Sequence, residues 1–201
     1  MRIQTFNVGM LSTNCYVADC QETQDAIIID PGLDAPSEAE QIFRYVDEET
    51  LKVKFIVNTH GHPDHVRGDS ILKKKYSVPI CIHAYDAHFI NALGGTISPA
   101  SILLEDEALV KFGKVTLKVM HTPGHTPGSI SLVGEKLVFT GDTLFAGGIG
   151  RTDFIGGSDR DMRLSLEKLL RLPDNYVVYP GHGATSVIGE EKRVNPFLQW
   201  L

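Results

Sequence analysis

The sequence predicts an α/β protein in which β-sheets pack on each other and helices cover their outer faces. Short apolar runs rich in β-branched residues, which are typical of strands, recur along the chain. Several of these runs follow one another through tight turns such as residues 134–135, and segments with a helical pattern occur singly between them. A doubly wound parallel sheet would need a helix after almost every strand, so packed sheets are favoured.

The apolar runs give the positions of the strands in chain order. The predicted strands are residues 15–18, 26–30, 55–58, 79–82, 115–120, 129–133, 137–140 and 176–179. Helical patterns, with an apolar residue every three or four positions, occupy residues 36–49 and 158–172. Ser37 with Glu40 indicates a capping box at the start of the first helix, and Ser158 with Asp161 marks the start of the second.

Length and composition predict one domain. The chain has 201 residues, of which 42% are hydrophobic, enough to bury one substantial core, and no linker, repeat or low-complexity tract interrupts it. We therefore expect a single domain over residues 1–201. The first twenty residues lack the apolar stretch of a signal peptide, and no run has the length of a membrane span. A soluble, cytoplasmic protein with no membrane partner is predicted.

Charge and cysteine content argue against two further classes. The 19 basic and 25 acidic residues give a formal net charge of −6, and the lysines at 73–75 are expected on the solvated face of a helix. No nucleic-acid partner is therefore predicted. Cys15, Cys20 and Cys81 are odd in number and lack C-x-x-C spacing. They are expected to be small buried side chains rather than a disulfide or a thiol site.

A dense group of metal-binding side chains follows the predicted strand at 55–58. The stretch "NTHGHPDH" contains His60, His62, Asp64 and His65 within six positions. The first two should lie in the loop at the carboxyl end of the strand, and the last two at the start of the next helix. Imidazole and carboxylate together suit zinc, iron or manganese, so the sequence predicts part of a metal site.

One short loop cannot close a metal site, so further donors are expected in similar positions. His125 in "TPGHTPG", Asp142 in "FTGDT" and His182 in "YPGHG" each follow an apolar strand beside glycine. With the earlier group, these donors are too many for one tetrahedral ion and enough for two. Asp142 is the natural bridge, because a carboxylate has two oxygens. His83 is interpreted as a supporting or surface residue, and His121 as a residue that orients a ligand.

These motifs resemble those of the metallo-β-lactamase superfamily. "THGHPDHVRG" is similar to the T-H-x-H-x-D-H motif, and "HTPGHTPGS", "FTGDTLF" and "YPGHG" follow in the expected order. "GDTLFAGGIGRTDFIGGS" and the terminal "NPFL" are similar to short glyoxalase II-like hydrolases. The resemblance covers nearly the whole chain. It implies an αββα sandwich of the metallo-β-lactamase type, with metal ions at one edge between the sheets.

The resemblance also implies how the donors are shared. One ion is held by His60, His62 and His125, the other by Asp64, His65 and His182, and both by Asp142. Zinc is the expected metal, with iron or manganese as alternatives. Two divalent ions about 3.5–4 Å apart can share a water whose pKa falls toward about 7, which makes hydroxide available as the nucleophile. Asp64 is expected to orient that nucleophile, so Asp64 and Asp142 are the candidate catalytic residues.

The implied activity is hydrolysis of thioesters, such as hydroxyacyl-glutathione, by attack of the bridging hydroxide on the carbonyl. In glyoxalase II a C-terminal helical domain helps to hold glutathione, and only nineteen residues follow His182 here, so that domain is expected to be missing. Arg151 falls where the family has a basic residue that contacts glutathione, and Asp153 falls where it has a tyrosine. Arg151 is therefore either a substrate-binding residue or a structural partner of Asp153.

Other activities remain open at the level of sequence. Persulfide dioxygenases have a very similar "GRTDF" segment and hold one iron with two histidines and a carboxylate, which here would be His60, His125 and Asp142. Lactone or β-lactam hydrolysis could use the same water. A binding module with a degenerate site is disfavoured, because none of the expected ligands has been lost. No serine nucleophile motif or phosphate-binding loop of the P-loop type is present.

Overall fold

The computed structural model describes residues 1–88 and 99–199 as two mixed six-stranded β-sheets with helices around them. The first sheet contains, in spatial order, β1 Arg2–Val8, β2 Thr13–Asp19, β3 Asp25–Ile29, β4 Lys52–Val57, β5 Ile80–His83 and β6 Ile102–Leu104. The second contains β7 Leu109–Phe112, β8 Val115–His121, β9 Ile130–Gly134, β10 Leu137–Gly141, β13 Val177–Pro180 and β14 Ser186–Val187. A small hairpin is formed by β11 Leu144–Phe145 and β12 Gly148–Ile149. The helices are α1 Ala39–Glu48, α2 Pro63–Val66, α3 Asp69–Tyr76, α4 Asp159–Leu169 and α5 Ile188–Val194.

Successive side chains of a central strand point to opposite faces of its sheet, so each central strand contributes to two apolar layers. On β2, Tyr16 and Ala18 point into the space between the sheets, whereas Cys15 and Val17 point to the outer face of the first sheet. The layer between the sheets also contains Phe139 of the second sheet. Because both faces of β2 are covered, every residue of this strand is buried.

Helices cover the outer face of each sheet. Ile42 of α1 and Leu72 of α3 pack in the same apolar cluster as the outer side chains of the first sheet. Leu166 of α4 and Ile188 of α5 pack with Val138 of the second sheet. This order of layers is the predicted αββα sandwich, so the fold class is confirmed. None of the helices in the described part of the chain is long and apolar enough to span a membrane.

Strand direction sets where the functional loops lie. In the first sheet β3, β4 and β5 are parallel, and in the second sheet β10 and β13 are parallel. Two antiparallel pairings through β9 make β8 run in the same direction as β10. The carboxyl ends of the strands that precede the predicted donors therefore meet at one edge of the sandwich.

All of the predicted strands are present, whereas the strands missed by the sequence analysis are β1, β6, β7, the hairpin strands and β14. The cap at Ser158 is confirmed, because its side chain accepts a hydrogen bond from the backbone N–H of Asp161. The capping box at Ser37 is wrong: α1 begins after a 3₁₀ turn, and the Glu38 carboxylate accepts the N–H groups of Asp34 and Ala35. The three cysteines are free and buried, as predicted.

Candidate metal centre

Four loops at the carboxyl edge carry the predicted donors. His60 and His62 follow β4, His125 follows β8, and Asp142 follows β10. The His182 loop after β13 is tied to the first sheet, since the Asn14 amide donates to the Pro180 and Gly183 carbonyls. The short helix α2 begins with proline at its first turn and carries Asp64 and His65.

One group of donors consists of His60, His62 and His125, whose ligand atoms lie within 4.8 Å of one another. The Nδ1 atom of His62 faces the Nε2 atom of His125 at 2.9 Å. The Nε2 atom of His60 is buried and has no hydrogen-bond partner within residues 1–88 and 99–199. A buried nitrogen without a partner is costly, so its position beside two other imidazole nitrogens is the arrangement that a metal ion satisfies.

The second group consists of Asp64, His65 and His182 and has the same spread of ligand atoms. The Nε2 atoms of His65 and His182 are 3.3 Å apart, and Asp64 Oδ2 lies 3.3 Å from His182 Nε2. Two ligands of a tetrahedral ion with bonds of about 2.0–2.1 Å lie about 3.3 Å apart. The spacing of this group therefore fits coordination of one ion.

Asp142 lies between the two groups. Its Oδ1 atom is 3.5 Å from His65 Nε2, and its Oδ2 atom is 3.5 Å from Nε2 of both His125 and His182. The Oδ1 atom is buried and makes no hydrogen bond to the described residues. The carboxylate thus faces donors of both groups, as a bridging ligand would.

Glycines allow the close approach of these loops. A Cβ atom on Gly181 would lie 2.1 Å from Asp142 Oδ1, and one on Gly150 would lie 1.8 Å from the Asp142 carbonyl oxygen. Neither position can hold a side chain without displacing the aspartate. Gly181, which directly precedes the donor His182 in the sequence, and Gly150 therefore have a steric function at the site.

Hydrogen bonds to backbone carbonyls orient two of the imidazoles. His125 Nδ1 lies 2.7 Å from the Arg151 carbonyl oxygen, and His182 Nδ1 lies 3.1 Å from that of Leu11. A ring that donates from Nδ1 leaves Nε2 as the acceptor, which is the atom turned towards the other donors. His121 was predicted to orient a ligand, but its Nε2 atom contacts the Pro127 carbonyl.

Two supporting aspartates were missed by the sequence analysis. Asp30 accepts hydrogen bonds from the backbone and hydroxyl of Thr59, each at 2.7 Å, and its Oδ2 lies 3.0 Å from His65 Nδ1. Asp86 accepts hydrogen bonds from the backbone N–H groups of Gly61 and Gly128. These two bonds connect the loop that carries His62 to the loop that carries His125. Asp30 directly follows an apolar strand, and the same pattern predicted Asp142 as a donor.

The two groups differ in their protonation without metal. Burial lowers the pKa of His62 to about 4, helped by neighbouring His125, and burial lowers the pKa of His60 well below its usual range. Burial also opposes protonation of His65, but Asp142 and Asp30 outweigh it and raise the pKa of His65 to about 9. The metal-free second group therefore holds a proton at neutral pH, and His60 and His62 are neutral.

A cavity of about 720 Å³ opens beside both groups of donors. Its apolar lining consists of Leu11, Pro63, Phe145, Ile149, Phe154 and Ile155. Arg151 also lines it, and its guanidinium donates to both oxygens of Asp153, at 2.9 and 2.7 Å. This is the pairing of Arg151 with Asp153 that the sequence left as one of two alternatives.

The fold and the donor set define a class of protein. The chain belongs to the metallo-beta-lactamase superfamily, whose family model matches residues 8–182. Both the expected resemblance and the expected fold are thereby confirmed.

Particular relatives carry two different activities in their names. The hydroxyacylglutathione hydrolase GloC of Haemophilus influenzae is 35% identical, over 98% of this chain and 98% of its own length. The human mitochondrial persulfide dioxygenase ETHE1 is 34% identical, over 92% of this chain and 71% of its own length. Among solved structures, the di-iron-bound form of TTHA1623 superposes with a TM-score of 0.82 at 32% identity, covering 97% of this chain and 100% of that one.

Proposed function

We propose that the protein is a dinuclear metal-dependent hydrolase of thioesters, similar to glyoxalase II. The observation that carries the proposal is the position of Asp142, whose carboxylate lies 3.5 Å from donor nitrogens of both groups. A site for a single ion would not need the second group. The likeness to a hydroxyacylglutathione hydrolase supports the thioester as substrate class.

The proposed ligands follow from the two groups. One ion is assigned to His60, His62 and His125, the other to Asp64, His65 and His182, and Asp142 is shared. Zinc suits this mixture of imidazole and carboxylate, and iron or manganese also suits it. The two irons bound in TTHA1623 support an iron-containing alternative for the metal.

The chemistry divides between the ions and the chain. When bound, the ions make a nucleophile from water at neutral pH and polarise the substrate carbonyl. Asp64 lines the cavity with a side chain that is 22% exposed, so its carboxylate can accept a hydrogen bond from the attacking water and orient it. Asp30 orients the ring of His65, because its Oδ2 atom lies 3.0 Å from Nδ1, the ring nitrogen that does not face the other donors. Water adds to the carbonyl carbon, the C–S bond breaks, and the products are a carboxylic acid and a thiol.

The test combines metal analysis with an assay of thioester hydrolysis. Purified protein, loaded in turn with zinc, iron or manganese, is analysed for metal per chain and assayed for thiol release from an acyl thioester. Two ions per chain and thiol release that depends on them are expected. The matched control is Asp174→Asn, which alters an exposed carboxylate paired with Lys192, away from the site. One ion per chain after loading, or no thiol release with any metal, would overturn the proposal.

A persulfide dioxygenase is the second candidate. It is supported by the 34% identity to ETHE1 and by the segment "GRTDF", in which Arg151 and Asp153 are paired. In this case His60, His125 and Asp142 would hold one iron. Oxygen uptake with a persulfide by the iron-loaded protein, without thiol release from any thioester, would establish this candidate in place of the first.

A further inference from the structure

Both groups of donors have an aromatic wall. The ring centroid of Phe154 lies 5.5 Å from that of His62 and 6.0 Å from that of His125. On the other side, the ring of Phe145 lies 6.2 Å from that of His182. A substrate whose carbonyl sits between the two groups would therefore have an apolar wall on either side of that carbonyl.

The rim of the cavity is apolar as well. Ile155 is 92% exposed and Leu11 is 65% exposed, although both line the cavity. Neither side chain contributes to a buried cluster of the described core. Grouped exposed apolar side chains around a concave site mark a binding surface, because the fold itself gains nothing from them.

Apart from the metal ions of the proposed site, the charges of the described side chains that line the cavity do not favour an anionic ligand. Among the described residues that line it, Arg151 is the only lysine or arginine, and Asp153 occupies its guanidinium with two parallel hydrogen bonds. The same guanidinium stacks on Phe154 at 4.3 Å from the ring centroid. The chain carries a net charge of −6, so anionic substrates are not attracted by its overall field either.

We propose that the cavity selects neutral thioesters with an apolar acyl group over thioesters whose thiol part is anionic. This inference rests on the proposed thioester hydrolysis and specifies the substrate class of the same site. The apolar groups of the substrate contact Phe145, Phe154 and Ile155. Because the Arg151 guanidinium is already paired with Asp153, it is not available to bind a carboxylate on the thiol part.

The first experiment isolates the effect of charge. The probes are S-acyl-N-acetylcysteine and its methyl ester, which differ only in whether the carboxylate is masked. We expect kcat/KM to be at least about tenfold higher for the methyl ester, because a carboxylate placed in the cavity without a partner is poorly compensated. Equal values, or a higher value for the acid, would overturn the proposal.

The Asp153→Asn variant tests the withdrawal of Arg151. Without Asp153, the guanidinium of Arg151 is free to bind the carboxylate of the substrate. The ratio of kcat/KM for the methyl ester to kcat/KM for the acid should therefore fall by about two- to fivefold, which is the range for an exposed ion pair. Asp174→Asn removes the same charge from the chain at a distance and should leave the ratio unchanged. The side chains of Asp153 and Asp174 are 66% and 74% exposed, so neither substitution is expected to impair folding. An unchanged ratio in Asp153→Asn would contradict this part of the proposal.

The apolar wall is tested with acyl groups of increasing length on the neutral thiol. A fully buried methylene changes kcat/KM by about fourfold, so hexanoyl should exceed acetyl by at least about tenfold. The Ile155→Asn variant should reduce this advantage by about threefold or more. Leu164→Asn is the control, since this leucine of α4 is 47% exposed and is not among the described residues lining the cavity. No gain with chain length would overturn the proposal.

A binding measurement separates this inference from the proposed activity. Titration calorimetry of the protein with S-hexyl-N-acetylcysteine and its methyl ester, which cannot be hydrolysed at sulfur, reports on the cavity alone. Tighter binding of the ester together with no thioester hydrolysis would refute the proposed activity and retain the selectivity. Thioester hydrolysis together with tighter binding of the acid would support the proposed activity and refute the selectivity for neutral substrates.

Discussion

At the scale of single residues, Asp142 and Asp64 contribute unequally to the site. Asp142 faces donors of both groups, whereas the ion contacts of the Asp64 carboxylate with described residues lie within the second group, to His65 and His182. We expect Asp142→Ala to lower metal content at both positions and activity by more than about a hundredfold, which is beyond the effect typical of an outer partner. Asp64→Ala should retain the ion of the first group. Elemental analysis and kcat/KM check this, and full metal content in Asp142→Ala would refute the bridging role.

The difference in protonation predicts a pH dependence for metal binding. His60 and His62 have lowered pKa values, so an ion binding there displaces no proton from them at neutral pH. His65, whose pKa is raised to about 9, must lose a proton, so affinity at the second group should fall by about tenfold per pH unit below 9.

Calorimetric titration with zinc in two buffers of different ionisation enthalpy measures this release directly. At pH 7.5 the weaker binding step should release about one proton or more, and the stronger step should release less. The same pH dependence in both steps would show that the assignment of His65 is wrong.

At the scale of elements, helix α5 fixes the hairpin that walls the cavity. The buried amide of Asn195, just after α5, donates to the carbonyls of Phe145 and Gly148 and to Glu191. The Glu191 carboxylate also accepts the N–H of Gly147. The terminal "NPFL" motif thus acts through the position of Phe145 rather than through contact with the donors.

The Asn195→Ala variant tests this connection. Loss of the amide removes hydrogen bonds from two partly buried carbonyls and from the buried Glu191 carboxylate, so the free energy of unfolding should fall by about 1–3 kcal/mol. KM should rise because the wall shifts, while metal per chain stays unchanged. Asn175→Ala, at an exposed position, is the control. Loss of metal with an unaltered KM would contradict the expected effect on the cavity.

At the scale of the whole molecule, the donors join loops of both sheets across the open edge of the sandwich. Three large apolar clusters lie elsewhere, so the metal-free protein should remain folded but melt earlier. Metal at a hundred times its Kd adds about 2.7 kcal/mol. For a chain of this size that corresponds to about 5–10 °C in Tm. Scanning calorimetry before and after chelation measures the shift, and unfolding on chelation would contradict it.

The sequence by itself determined the strongly apolar strands and the loops that carry the donors. Each donor loop combines an apolar strand, a glycine and a ligand side chain within a few residues, so its signal is local. Strands of the edges gave no such signal: β7 alternates between exposed and buried residues over four positions, and β1 is mostly exposed or half-buried. Their membership of a sheet depends on pairing with β8 and β2.

The tertiary structure decided which donors lie together and which charges are paired. His62 and His125 are 63 positions apart in the chain, and His65 and His182 are 117 apart. Stacking of the two sheets brings them within 3.3 Å or less, a distance that no local pattern encodes. The support from Asp30 also became visible only in the fold, because its partner His65 belongs to helix α2, which follows a different strand. Proximity of this kind is set by the packing of whole sheets, whereas the chemistry of each loop is set by its own residues.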